Sequence, residues 1–379
     1  MKKNSISKQA VTKPRHRKSS KGRQGKQASS GGAVQQVIGL DLGDQSSRYC
    51  VLDSEGNVKA ERSVATTRQG LSQAFAKGKR SRIALEVGTH SPWVSRLLQG
   101  LGHEVIVANA RRVRMISESS RKDDRMDAQM LARLARVDPA LLYPIRHRGE
   151  RAQQHLAMIK ARAGLVDGRT ALVNTARGLT KSMGERIGKC DADQMGEEKI
   201  EELPAGVQAA LHGLIAVVEK MTEQIQGYDQ ELAEIARKEY PETALLEQIS
   251  GVGPLIALTF LLTLDDAKRF GRSRDVGCFL GLRPKRHESG ESHPQLGITK
   301  EGDVYLRRLL VQGAHYIMSR RGPDSDLKRW GLRLAGRGGK RAKKRAVVAV
   351  ARKLAILLHH LWVTGEVYEP LRHNQAKVA

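Results

Sequence analysis

Cysteine, aromatic side chains and long apolar runs are all scarce in this chain of 379 residues. Its three cysteines, Cys50, Cys190 and Cys278, are too few and too scattered for a disulfide framework or a four-ligand zinc site. They read as reduced core thiols of an intracellular protein. Aromatic residues make up 4% of the chain, which argues against reading single strands by stacking bases on rings. No apolar run approaches the roughly 20 residues that span a bilayer, and the first residues lack the apolar segment of a secretory signal. The expectation is a soluble, cytoplasmic protein. Acid is missing altogether from residues 1–34, which hold ten Lys or Arg among many Ser, Gly and Gln. Such a stretch buries too little apolar surface to order itself, so it reads as a disordered basic tail with accessory phosphate contacts.

What the chain has in excess is positive charge. It carries 66 Lys+Arg against 40 Asp+Glu, a formal net charge of +26. A chain so charged repels itself without a polyanion, and basic surface binds phosphate by releasing counterions. A plain basic scaffold accounts for the charge but not for acids lined up at strand ends. With 40% hydrophobic residues, the length suffices for two or three domains with cores of their own.

Residues 35–148 read as α/β. VIGLD and SRYCVLD, then VKAERSV beyond a Gly-Asn turn, form a meander of three strands; IALEV (83–87) and EVIVA (104–108) flank a helix, SPWVSRLLQG, that Gly102 ends. A meander followed by alternating strands and helices is the order of a ribonuclease H-like domain. Four carboxylates stand out within it. Asp41 and Glu86 lie where the first and fourth strands run out, and Asp124 with Asp127 are three apart on the helical pattern KDDRMDAQMLARL, hence on one face. Carboxylate oxygens in such a set suit Mg²⁺, which acts on phosphodiesters by holding attacking and leaving oxygens. A 123/127 pair also shares a helix face, so Asp123 competes with Asp124 for the role.

Residues 149–243 carry a different period. Leu211, Leu214, Val218, Met221, Ile225, Tyr228, Leu232 and Ile235 are spaced three and four alternately. A looser stripe runs through Leu156, Ile159, Ala163, Val166, Thr170 and Val173, and the polar stretch ending at Pro204 and Gly206 separates the two. The pattern predicts a long antiparallel coiled-coil hairpin that also pairs subunits, giving a homo-oligomer. Residues 244–368 predict a mostly helical unit. It opens with Gly251-Val252-Gly253 between two apolar helices, a helix-hairpin-helix pattern, and holds thirteen Lys or Arg against two Asp between Arg320 and Lys353. Residues 369–379 are a short tail.

The blocks GLDLG, RYCVLD, ALEVGTH and KDDRMDAQMLARL resemble the N-terminal DEDD domain of insertion-sequence transposases related to the Piv-type DNA invertases, itself similar to the RuvC Holliday-junction resolvase. The blocks ISGVGPLIALTFLL, FGRSRDVGCFLGLRPKRHESGES, LGITKEGDVYLRRLLVQGA and KKRAVVAVARKLAILLHHLW resemble the C-terminal domain of the same family, so the likeness runs from about 36 to 365. The resemblance implies that Asp41, Glu86, Asp124 and Asp127 hold Mg²⁺, with 124 favoured over 123 by motif register. It also implies that Ser289 attacks DNA to form a covalent phosphoserine link, that acids of a second subunit complete the site, and that a structured non-coding guide RNA pairs with donor and target DNA. In this chain Glu288 stands where the family has a further serine. Ser292 is then a fallback nucleophile. Arg283, Lys285, Arg286 and Lys300 are candidates for holding phosphate. A junction nuclease using the acids alone, or a site-specific invertase, is the alternative reading.

Overall fold

The computed structural model describes residues 36–109, 113, 124–287, 292, 294 and 296–372. Packing divides the chain into two units, residues 1–146 and 147–379.

In the first unit, β1 (Val37–Asp41), β2 (Ser46–Leu52), β3 (Val58–Ala65), β4 (Arg82–Glu86) and β5 (Glu104–Ala108) form one sheet in the order β3-β2-β1-β4-β5. The meander expected from sequence is there: β1 pairs antiparallel with β2, and β2 with β3, while β1–β4 and β4–β5 are parallel. At the β2–β3 turn the Asp53 carboxylate accepts the Glu55 and Asn57 N–H groups, and Gly56 takes φ 92°. Those bonds to the ionised form hold the Asp53 carboxyl below its ordinary value, Asn57 contributing most. Helices α1 (Arg68–Phe75), α2 (Ser91–Gly100) and α3 (Asp124–Val137) complete the unit. Sequence reading missed α1. Its inward face is only Leu71 and Phe75, too little apolar signal to stand out in a polar stretch, and the Thr67 side chain caps it. Gly102, at φ 90°, ends the turn after α2 as expected.

In the second unit α4 (Glu150–Ser182) and α5 (Ala205–Glu239) lie side by side. They run antiparallel, because Arg151 meets Glu239, Arg162 meets Asp229 and Arg169 meets Thr222. The face of α5 that is buried differs from the expected one. Val207, Leu211, Ile215, Val218, Thr222, Ile225, Leu232 and Ala236 are buried, whereas Leu214, Met221, Tyr228 and Ile235 are half-buried at the flank. Every second residue of the expected stripe, the one reached by a three-residue step, is thus displaced by one position. Apolar residues occupy both tracks, and Asp229 is accommodated on the inner one by the Arg162 guanidinium, bonded at 2.5 and 2.8 Å.

Helices α6 (Thr243–Glu247), α7 (Pro254–Leu264), α8 (Arg274–Phe279), α9 (Val304–Met318), α10 (Asp326–Gly336) and α11 (Ala342–Thr364) form the rest of the unit. Leu258 and Leu262 of α7 share a cluster with Leu156, Ile159, Leu232 and Ala236 of the hairpin. The glycine turn lies between α6 and α7 as the sequence suggests, with Gly251 at φ 96°. A side chain at Gly251 would meet Tyr316 and the Gly313 carbonyl, so this close approach is to α9 and is protein packing. The larger core gathers Phe260, Leu310, Val350, Leu354 and Leu358 around α11. Among the described residues α11 is the one helix long and apolar enough to cross a membrane, which qualifies the expectation that no such run exists; half of its apolar window is buried within the unit. Its buried His359 is fully satisfied: one ring nitrogen lies 2.9 Å from the Ala267 carbonyl and the other 3.0 Å from the Ser273 hydroxyl.

Candidate active site

The register of β1 on β4 decides where the first two acids go. Gly39 lies beside Ala84 and Leu40 beside Leu85, so Asp41 and Glu86, the last residues of the two strands, end at the same level. Neighbouring parallel strands run about 4.8 Å apart, and side chains two apart along a strand share a face. The face in question carries α3. A Cβ on Gly39 would lie 1.9 Å from the Ala128 carbonyl oxygen and 2.5 Å from the Ala132 nitrogen, so glycine is what lets the helix backbone touch the strand. Val37 and Ala84 cluster with Leu131 and Ala135 at the other end of the same face. The helix therefore crosses β1 from its C-terminal end toward its N-terminal end. Asp41, two residues past Gly39, and Glu86, two past Ala84, are both directed to the side on which α3 begins.

Asp124 is the first residue of α3 and Asp127 lies in its first turn. Ala128, Leu131 and Ala135 continue from Asp124 at helical spacing along the buried face. The beginning of α3 is thus brought to the strand ends that carry Asp41 and Glu86. Asp41, Glu86 and Asp127 are each half-buried and each take part in polar contacts; the Asp124 side chain, Asp123 and Ser289 lie outside the described residues. Among the described residues no three His, Cys, Asp or Glu side chains are clustered as a metal site. Two basic side chains hold α3 in place. Arg125 pairs with Glu61 of β3, and Arg136 donates to the Ser54 carbonyl at 3.1 Å.

The loops leaving β1 and β4 are fixed by short bonds. The Thr66 hydroxyl donates to the Gly43 carbonyl at 2.9 Å, and the Ser91 hydroxyl accepts from the Gly88 N–H at 3.0 Å. Between these loops stands a group that sequence reading passed over. The Trp93 indole N–H donates to His90 Nδ1 at 3.1 Å, which leaves Nε2 as the protonated nitrogen facing Asp44 Oδ1 at 3.2 Å. His90 follows Glu86 by four residues and Asp44 follows Asp41 by three. The signal available in sequence was the His-Ser-Pro-Trp run at a helix start.

In the second unit, Ser292 is exposed, as are Arg283, Lys285, Arg286 and Lys300. Of these Arg286 has a polar partner.

Comparison with known proteins shows the family. Residues 38–184 match the DEDD transposase family of IS110 type, and residues 243–328 match the family described as Transposase IS116/IS110/IS902. The chain is similar to the transposase for insertion sequence element IS1111A of Coxiella burnetii, 30% identical over 88% of this chain and 91% of that protein. It is also similar to the transposase for insertion sequence element IS1328 of Yersinia enterocolitica, 29% identical over 75% of this chain and 84% of that one. A shorter likeness, 30% over 29% of this chain and 34% of the relative, links it to the pilin gene-inverting protein of Moraxella bovis. The chain belongs to the IS116/IS110/IS902 family and is an insertion-sequence DNA transposase.

Proposed function

We propose that this transposase exchanges DNA strands under the direction of a structured guide RNA, with Asp41, Glu86, Asp124 and Asp127 holding Mg²⁺ and Ser289 as the nucleophile. The observation that carries the acid assignment is the in-register ending of β1 and β4 beneath the first turn of α3. The donor set is carboxylate oxygen, which suits Mg²⁺ and not the nitrogen- and sulfur-rich sites that zinc takes. Mg²⁺ bound there neutralises charge on the scissile phosphate and makes its phosphorus a better electrophile.

The chain's own residues supply the rest. The Ser289 hydroxyl gives up its proton and bonds to phosphorus; the bond to one strand end breaks, and that end leaves as a hydroxyl after taking up a proton. One phosphodiester is exchanged for another, so the second strand can be joined later by the reverse attack without an external energy source. Basic surface positions the phosphates on either side. Guidance by RNA fits a chain with net charge +26 and few aromatics, since base pairing then carries the sequence information and the protein needs few base-reading side chains. A dimer or larger oligomer belongs to the same reading, because two duplexes must be cut and joined together.

The test is reconstitution. Purified protein, donor and target duplexes, Mg²⁺ and the RNA that co-purifies from cells should together give strand exchange. Exchange that persists after ribonuclease treatment would remove the RNA from the account, and binding without any cutting under all conditions would remove the enzymatic reading of the acids.

A further inference from the structure

Residues 281–285 and 297–300 run antiparallel as a short ribbon. The Lys285 N–H donates to the Gly297 carbonyl at 2.8 Å, the Thr299 N–H to the Arg283 carbonyl at 2.9 Å and the Lys300 N–H to the Gly281 carbonyl at 3.0 Å, with Pro284 opposite Ile298. Alternation gives the ribbon two faces. Leu282, 1% exposed, and the half-buried Ile298 pack on the core around α11, so the face they share is the inner one, although Pro284 beyond them is itself exposed. Arg283 and Lys285 stand on the opposite face, both exposed. Opposite Lys285 is Gly297, which has no side chain to obstruct approach.

The root of the ribbon is rigid. Arg307, 8% exposed, donates to the carbonyls of Leu280 at 2.9 Å and Glu301 at 2.7 Å, clasping both limbs. Gly281 at φ 66° and Gly302 at φ 79° close the gap; a Cβ on Gly281 would lie 2.1 Å from the Glu301 oxygen, and one on Gly302 equally close to that of Phe279. Two cations two residues apart, about 7 Å along a strand, are therefore held out on a scaffold that loses little entropy on binding. Neither is ion-paired among the described residues, unlike Arg329 with Asp324 or Arg308 with Asp167.

We infer that this outer face is a docking surface for duplex DNA, with Arg283 and Lys285 each on a backbone phosphate beside the major groove. The partner is DNA and not duplex RNA for a geometric reason. The major groove of B-form DNA, about 12 Å wide, admits a two-stranded ribbon, whereas that of A-form RNA is deep and narrow. The inference does not need Ser289 to be the nucleophile.

Salt dependence tests it. With full-length protein, the affinity for a labelled random-sequence duplex DNA is measured across a salt series, for wild type and for Arg283→Gln with Lys285→Gln. Loss of two phosphate contacts should flatten the plot of log affinity against log salt by about 1.8. A charge-matched control, Lys160→Gln with Lys181→Gln on α4, should leave that slope in place. Binding to a duplex RNA of equal length should be unaffected by the ribbon substitutions. An unchanged DNA slope, an equal flattening in the control, or an equal loss on duplex RNA would each overturn the assignment; unaltered thermal melting of the variants confirms that folding is not the cause.

Discussion

Gly39 and the acids at the strand ends should respond differently to substitution, and the difference is measurable. Gly39 is where the α3 backbone touches the sheet, so Gly39→Ala forces the helix off the strand. Overpacking of that kind costs about 1–3 kcal/mol, and here the obstacle is backbone. Thermal denaturation should show a clearly lowered midpoint. Asp41→Asn, Glu86→Gln and Asp127→Asn should instead abolish strand exchange while keeping a cooperative melt, because each exchanges a carboxylate for an amide of nearly the same volume. Exchange at the wild-type rate in any of the three would remove that residue from the site. A third residue-scale prediction concerns thiols. Burial raises the Cys50 thiol above its ordinary value, and the residue is 1% exposed, whereas Cys190 and Cys278 are half-buried. At pH 8 two thiols per chain should react with a thiol reagent in the native protein and the third only on unfolding. Three fast equivalents would contradict the packing of β2 against α3.

At the scale of elements, the strands were the most legible part of the sequence and the hairpin seam the least. EVIVA became β5 and VIGLD became β1 because short β-rich runs bounded by turn residues leave little choice of register. In α5 two stripes one residue apart both satisfy a three-four spacing. Which one turns inward is decided by the partner helix, which contributes Ile159, Ala163 and Val173 and a cation for Asp229. That information lies some 60 residues away in the chain and has no local trace. The choice of stripe has a consequence for stability. Ile215→Asp places a charge among fully buried side chains and should cost at least about 3 kcal/mol, whereas Leu214→Asp, at the flank, should cost about 1 kcal/mol or less. Urea denaturation of the two variants compares them directly. Equal losses would mean that the expected stripe and the observed one share the interface.

For the whole molecule, sequence carried two expectations: a polyanion partner, from the excess of 26 positive charges, and a candidate oxygen-ligand site, from acids at strand ends. It did not reveal the Asp44–His90–Trp93 group, since a histidine earns no notice until a second loop is folded beside it. Nor did it show that Arg307, one basic residue among 66, is a buried clasp and not surface charge. The proposed function turns on cleavage of DNA by a serine and not by water. The most direct measurement is to react the protein with nicked or end-labelled DNA in Mg²⁺, denature it, and map any peptide that retains DNA. A denaturation-resistant adduct is expected on the peptide containing Ser289, absent from Ser289→Ala although that variant still binds DNA. An adduct on Ser292 would keep the mechanism and move the residue, and normal strand exchange without any adduct would contradict the account.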